Sequence, residues 1–207
     1  YNRIRVGDWI IDAPVTDLSG TSFIMMRDQE RLMLKSGLLG LHQVGPLAVT
    51  VDLGMKLGLT AEQIAVGISK TRPFDHRLEP RIDSAGVTIL DDSYNGNPDG
   101  ARVVIEFLAQ LTGRRRFYVT PGLVEMGVKT EEVHREIGKN LARANIENVV
   151  LIKNSVTPYI EAGLTDGGYK GEVLWFDDAL SAFAALQYIT AKGDIVLLQN
   201  DWPDRYQ

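Results

Sequence analysis

Residues 85–99 read AGVTILDDSYNGNPD, and the larger part of the chain is organised around this segment. Its apolar run VTIL ends at two aspartates, which predicts a buried strand that stops at Asp91 and Asp92. Pro98 suits the first position of a helix, where its missing N–H would have no partner, and Asn97 can cap that helix. Ligands of open parallel sheets lie beyond the carboxyl ends of strands. The polar loop therefore predicts a ligand site, with a purely structural Asx turn as the alternative.

Strand and helix patterns alternate regularly after this stretch. We predict further strands at residues 117–120, 149–152, 173–176 and 195–198, and helices at residues 98–111, 131–144, 157–162 and 179–191. Such alternation predicts a parallel sheet covered by helices on both faces. The fold class is therefore α/β, and residues 75–207 are expected to form a complete Rossmann-like domain.

The first 74 residues follow a different pattern. Residues 4–26 alternate like a β-meander, and residues 31–34 indicate another short strand. A helix is predicted from Pro46 to about Gly58, and a second one begins after Thr60 as its cap, with Glu62 at the third position. Because no strand here closes a core, we expect residues 1–74 to be the trailing strands and helices of a truncated α/β domain. Residues 71–75 read as a linker, since a residue before proline avoids helical geometry.

Composition excludes several function classes. The 207 residues contain no cysteine and three histidines, so thiolate metal sites and disulfides are excluded and a His-rich metal cluster is not expected. The net charge of −5 argues against a general nucleic-acid binder. No apolar run approaches the roughly 18 residues that a membrane span needs, and no signal peptide is visible. We expect a cytoplasmic protein without a membrane partner. The chain begins without methionine and runs straight into strand-like sequence, so we expect a piece of a longer protein.

Familiar catalytic motifs are missing or weak. No stretch fits the P-loop pattern G-x-x-x-x-G-K-S/T, no G-x-G-x-x-G follows a strand, and no Ser/His/Asp set is evident. His134 lies among charged residues of a predicted helix, which favours a solvated surface histidine over a catalytic one. The basic residues 114–116 favour a charged turn over a phosphate site.

Four motifs occur in a telling order: GLHQ at residues 40–43, DHRLE at 75–79, LDDSYNGNPD at 90–99, and PGLVEMG at 121–127 with His134 beyond it. This succession resembles the Mur ligases of peptidoglycan synthesis, whose DDSYNANP signature matches residues 91–98 with only Gly96 differing. The resemblance extends from about residue 40 to the end. It implies that residues 1–74 are the C-terminal part of the central ATP-binding domain. Residues 75–207 would be the Rossmann-like C-terminal domain, which closes over ATP.

The resemblance also implies roles for matching residues. His42 and Gln43 match the adenine-binding H-N-x-x-N segment, with glutamine in place of its first asparagine. Arg77 matches the hinge arginine that reaches the nucleotide, and we assign it the catalytic role because its guanidinium is always charged and binds phosphate with two donors. Asp92 matches the aspartate that accepts hydrogen bonds from ribose hydroxyls. The other nucleotide-binding residues of this loop are Tyr94, Asn95 and Asn97.

The end of the chain departs from the family pattern. Where the family commonly has KGSR to help hold the amine substrate, this chain has Gln199, Asn200, Asp201 and Trp202. We assign Asn200 and Asp201 to substrate binding. The cationic Lys and Arg, which suit a substrate carboxylate, are lost at these positions.

The implied chemistry is ATP-dependent amide formation through an acyl phosphate. The likeness is strongest to members that join D-Ala-D-Ala to a UDP-MurNAc-peptide, and those two molecules are the expected partners of a monomeric enzyme. The expected cofactors are ATP and Mg²⁺, with the P-loop and the metal ligands outside this chain, so we expect the chain alone to be inactive. Two alternatives are a Mur-type ligase with another acceptor, such as a folylpolyglutamate synthetase-like enzyme, and a non-catalytic Rossmann-like binding module.

Overall fold

A computed structural model describes residues 4–200. The chain divides into two compact units, Tyr1–Pro73 and Phe74–Gln207. The boundary falls inside the segment predicted as a linker. Each unit is described separately below.

The first unit is an antiparallel meander followed by helices. Its strands β1 (Ile4–Val6), β2 (Trp9–Asp17), β3 (Gly20–Arg27) and β4 (Glu30–Ser36) pair in sequence order. A short 3₁₀ helix (Leu41–Gln43) leads into α1 (Val44–Lys56) and then α2 (Ala61–Ser69). The predicted meander and helix pair are confirmed. Helix α1 begins two residues before Pro46, which is compatible with proline because the first-turn N–H groups have no partner inside the helix.

Two expectations for this unit are wrong. The unit has a core of its own, in which sheet residues such as Trp9, Phe23 and Met25 pack with Val51 of α1 and Ile64 of α2. The core forms because the meander buries one face by alternation and both helices pack on that face. The capping box of α2 also uses Gln63 rather than Glu62. The Gln63 side chain accepts from the Thr60 N–H at 2.9 Å, and the Thr60 hydroxyl accepts from the Gln63 N–H at 3.3 Å.

The second unit contains the predicted strand and helix alternation. Its strands are β5 (Glu79–Ile82), β6 (Thr88–Asp92), β7 (Arg116–Thr120), β8 (Asn148–Ile152), β9 (Glu172–Phe176) and β10 (Ile195–Gln199). Its helices are α3 (Pro98–Gln110), α4 (Thr130–Arg143), α5 (Thr157–Asp166) and α6 (Ala179–Ile189), with a 3₁₀ turn at Gly127–Lys129. Every strand and helix predicted after residue 85 is confirmed within a few residues.

The six strands form one sheet in the order β5-β6-β10-β7-β8-β9. All neighbours are parallel except β5, which pairs antiparallel with β6 at the edge. The predicted α/β class with a Rossmann-like parallel sheet is confirmed, while β5 was missed. Its sequence EPRI is short, charged and interrupted by proline, so it carries no strand signal and is tolerated only at an edge.

Helix α6 packs on one face of this sheet. Ala182 and Leu186 of α6 pack with Val196 and Leu198 of β10 on one face. Because strand side chains alternate, Leu197 and Gln199 of β10 point to the opposite face. Helices α4 and α5 approach each other closely, and a Cβ on Gly138 would collide with the carbonyl oxygen of Ile160. Within residues 4–200, no helix is long and apolar enough to cross a membrane.

Candidate functional site

The candidate site lies at the carboxyl edge of the parallel sheet in the second unit. Strands β6, β10 and β7 are neighbours there. Gln199 of β10 lies beside Asp92 of β6, and Thr120 lies one residue beyond the last position at which β7 pairs with β10. Asp91 and Asp92 end β6, and alternation sends their side chains to opposite faces of the sheet. The same doublet therefore builds two different environments.

Asp92 is a largely buried carboxylate with few partners. Its Oδ1 accepts from the backbone N–H of Leu78 at 3.0 Å. Burial raises the pKa of Asp92 to about 6, and the neighbouring charge of Asp91 adds to the rise. The hydrogen bond from Leu78 and the charge of Arg77 act in the opposite direction but do not compensate. A carboxylate kept in this environment is characteristic of functional sites.

The Asp91 carboxylate has several polar partners on the other face of the sheet. Its Oδ1 accepts from the Ser93 hydroxyl at 2.6 Å, and its Oδ2 lies 3.0 Å from both His76 Nδ1 and Arg81 Nη2. Burial alone would raise the pKa of Asp91, but the hydrogen bonds from Ser93 and His76 and the charge of Arg81 hold it below its usual value. Among the described residues, Asp91, His76 and Glu79 come near the spacing of metal ligands. The guanidinium of Arg81 takes the position beside Asp91 that a cation would need, so we assign no metal here.

Arg77 is held against the loop that follows β6. Its Nη1 donates to the Asn95 carbonyl at 2.9 Å and its Nη2 donates to Asn95 Oδ1 at 2.6 Å. The guanidinium carbon also lies 4.4 Å from the centre of the Tyr94 ring, which is 54% exposed. Stacking and two hydrogen bonds therefore present a positive charge at the solvent edge of the loop.

Asn97 caps α3 as predicted. Its backbone is extended at φ −140°, and its Oδ1 accepts from the Gly100 N–H at 2.8 Å. Pro98 takes the first helical position. The capping interpretation is confirmed, and it leaves the amide N–H₂ of Asn97 as the group that can serve a ligand.

The residues that end β10 are buried. Asn200 is 1% exposed and Gln199 is 0% exposed, and Asp201 lies outside the described residues. The oxygen and the nitrogen of the Asn200 side-chain amide both form hydrogen bonds with backbone atoms of other loops. The assignment of Asn200 and Asp201 to substrate binding stays a prediction.

His134 is not a surface residue, and that expectation is wrong. It is 0% exposed, its Nε2 accepts from the Leu123 N–H at 2.8 Å, and its Nδ1 donates to the Thr130 carbonyl at 2.6 Å. Burial lowers the pKa of His134. Its charged sequence neighbours lie on other faces of α4, and the buried Ile137 and Leu141 at helical spacing were the signal for its burial. His134 supports the loop after β7.

The basic segment at residues 114–116 is structural for the two arginines whose partners are defined. Arg115 pairs with Asp194 at 2.6 Å, and Arg116 pairs with Glu147 at 2.8 Å. The preference for a charged turn over a phosphate site is confirmed for both.

His42 and Gln43 belong to the first unit. They lie in the 3₁₀ helix that precedes α1, and Gln43 Nε2 donates to His42 Nε2 at 2.9 Å. Their assignment to adenine stays a prediction.

The structure thus brings together five of the predicted site residues in one unit: Arg77, Asp92, Tyr94, Asn95 and Asn97. Sequence reasoning missed the polar row that continues across the sheet, in which Tyr118 and Thr120 donate to Gln199 Oε1 at 3.0 and 3.2 Å. Polar atoms at the end of the apolar strand FYVT were the available signal.

The comparisons with known proteins agree with this geometry. A family model described as "Mur ligase, glutamate ligase domain" matches residues 76–199, which include the whole candidate site of the second unit up to Gln199. The chain belongs to the Mur ligase family. The loop after β6 and the segment around Arg77 therefore lie in the part of the chain that matches the family model.

Curated relatives carry one printed function. The chain is 26% identical over 182 residues to a UDP-N-acetylmuramoyl-tripeptide--D-alanyl-D-alanine ligase of Mycobacterium leprae, covering 80% of this chain and 35% of that protein. It is 26% identical over 133 residues to the Escherichia coli enzyme of the same name, covering 64% of this chain and 29% of that protein. The chain therefore spans well under half the length of these relatives.

Solved structures show the same fold. The MurF ligase of Thermotoga maritima in complex with ADP matches 94% of this chain and 43% of its own, with a TM-score of 0.77 at 23% identity. The MurC ligase of the same organism matches 97% of this chain with a TM-score of 0.72 at 15% identity.

Proposed function

We propose that this chain is the ATP-facing C-terminal part of an amide ligase that joins D-Ala-D-Ala to a UDP-MurNAc-peptide in the cytoplasm. Residues 1–74 would be the end of the central ATP-binding domain and residues 75–207 the C-terminal domain. The curated relatives named above act in this reaction by their printed names. A related structure holds ADP.

A single arrangement carries the proposal: an incompletely paired carboxylate, Asp92, beside a pre-oriented guanidinium, Arg77, at the carboxyl edge of a parallel sheet. A carboxylate there can accept hydrogen bonds from ribose hydroxyls. A guanidinium can neutralise charge on phosphates as a γ-phosphoryl group moves to the substrate carboxylate. The acyl phosphate would then be attacked by the amine, with release of phosphate.

The remaining residues of the loop assist these two. Tyr94 and Asn95 orient Arg77, and Asn97 lies at the start of α3, where its Oδ1 accepts from the Gly100 N–H. Mg²⁺, when bound, would offset phosphate charge. Its ligands and the phosphate cradle would belong to residues outside this chain, because the sequence contains no P-loop.

Kinetics of the complete ligase test the proposal. Asp92→Ala should raise the KM for ATP by about ten- to a hundredfold, because a hydrogen bond to a charged group contributes roughly 1.5–3 kcal/mol. Arg77→Ala should act mainly on kcat, and Arg77→Lys should restore only part of the rate because it keeps charge without the planar fork.

Arg102 provides the matched control. It is a half-exposed arginine of α3 that pairs with Glu106, so Arg102→Ala should leave both constants unchanged. Unchanged kcat and KM in both the Asp92 and Arg77 alanine variants would contradict the proposal. The 207-residue chain by itself should form no product from ATP and the two substrates.

A further inference from the structure

Asn200 connects three segments at the carboxyl edge of the sheet. Its Oδ1 accepts from the Gly96 N–H at 2.6 Å, and its Nδ2 donates to the Gly122 carbonyl at 2.6 Å. Its own backbone N–H donates to the Asp92 carbonyl at 3.1 Å. One buried side chain thus joins the loop after β6 to the loop after β7, from the end of the strand between them.

The contact with Gly96 brings three side-chain atoms close to the place that a Cβ would occupy. A Cβ on Gly96 would lie 2.5 Å from Gln199 Nε2, 2.6 Å from Leu123 Cδ2 and 3.1 Å from Asn200 Oδ1. The backbone of the loop therefore packs directly on the end of β10. Glycine at position 96 and the two amide residues at the end of β10 form one fitted contact.

Gln199 supports this contact without holding the loop by a hydrogen bond. Tyr118 and Thr120 both donate to its Oε1, and its buried Nε2 has no hydrogen-bond partner among residues 4–200. The side chain that is hydrogen-bonded to the loop is that of Asn200.

We propose that Asn200 is a positioning residue that holds the loop after β6, and with it the Arg77–Tyr94–Asn95 group, in its nucleotide-binding geometry. The inference rests on the proposed function for what the loop binds. Asn200 acts through the backbone of Gly96, since it is 1% exposed and both ends of its amide are engaged. The direct contact between Asn200 and substrate stays a separate prediction.

Asn200→Gly tests the contribution of the Asn200 side chain without changing the backbone conformation. The residue has φ +71°, a left-handed conformation that glycine adopts without strain, so the replacement removes the two side-chain hydrogen bonds and preserves the turn. Asn145→Gly is the matched control. Asn145 is also left-handed at φ +48°, but its amide donates only to the neighbouring Arg143 carbonyl, at 3.4 Å.

Amide hydrogen exchange in the 207-residue chain measures the hold directly. In Asn200→Gly, the Gly96 N–H should exchange about tenfold faster or more, while the Leu197 N–H in the centre of the sheet changes by less than about twofold. Asn145→Gly should change neither rate. An unchanged rate at Gly96 would overturn the proposal, and so would equal acceleration at Gly96 and Leu197, which would mean a general loss of stability.

A kinetic measurement on the complete ligase tests whether the loop that Asn200 holds serves the reaction. Asn200→Gly should raise the KM for ATP by about five- to thirtyfold and should also lower kcat, because a displaced loop weakens nucleotide binding and moves Arg77 with it. Unchanged kcat and KM would overturn the positioning role. Absence of ATP-dependent activity in the unsubstituted ligase would refute the proposed function instead, and the exchange rates would still decide whether Asn200 holds the loop.

Discussion

Replacing Asp92 by asparagine should make the second unit more stable at neutral pH. The carboxyl pKa rises from 3.8 to about 6 on folding, because burial disfavours the charged form. Between these two values the folded chain binds more protons than the unfolded chain, so stability falls as pH rises through this window. At about 1.4 kcal/mol per pKa unit, the full penalty above pH 6 is about 3 kcal/mol.

Asparagine removes this penalty and keeps an oxygen that can accept from the Leu78 N–H. We expect Asp92→Asn to be more stable by about 1–3 kcal/mol near pH 8, with the difference vanishing near pH 4. Urea unfolding at several pH values measures it, and a ¹³C titration of the Asp92 carboxyl checks the pKa.

Asp91→Asn is the control, since its neighbours hold the pKa of Asp91 below its usual value. It should therefore destabilise the chain at neutral pH. If Asp92→Asn destabilised the chain near pH 8 in the same way, or if its effect did not depend on pH, burial would not disfavour the charged form of Asp92 and the argument would be wrong.

Three further predictions concern His134, two helix glycines and the pH dependence of nucleotide binding. Burial lowers the pKa of His134, so below the ordinary histidine pKa of 6.5 the unfolded chain binds a proton that the folded chain does not. The free energy of unfolding should therefore fall as pH falls below 6.5, and His134→Gln should flatten that part of the pH profile. Gly138→Ala should destabilise the chain by more than about 2 kcal/mol through the contact with the Ile160 carbonyl, whereas Gly67→Ala in α2, where a Cβ meets nothing, should stabilise it by about 0.5–1 kcal/mol in thermal unfolding. In the complete ligase, the proposed role of Asp92 predicts that the KM for ATP falls as pH rises through about 6, since the ionised carboxylate has more acceptor capacity for ribose hydroxyls than the protonated one. An Asp92→Asn enzyme should lose this dependence.

Sequence patterns predicted most strands and helices of the second unit and placed the candidate site after β6. Alternating apolar strands and amphipathic helices after residue 85 predict a parallel sheet, because each pattern can bury its apolar side chains in only one way. Asn97 and Pro98 predict the start of α3 from local chemistry alone. Placing the polar loop after β6 at a ligand-binding edge needed only the rule for parallel sheets.

Which polar groups share an environment depends on the three-dimensional packing of the chain. Asp91 and Asp92 are identical neighbours in the sequence, yet the pKa of one falls and that of the other rises, because alternation sends them to opposite faces with different partners. His134 accepts from the Leu123 N–H in the loop after β7, a contact that the pattern of its own helix does not describe. Asn200 meets Gly96 across 104 positions of sequence. Local patterns report which side of an element faces the core, whereas hydrogen bonds between distant loops depend on strand order, and strand order is set by the packing of the whole sheet.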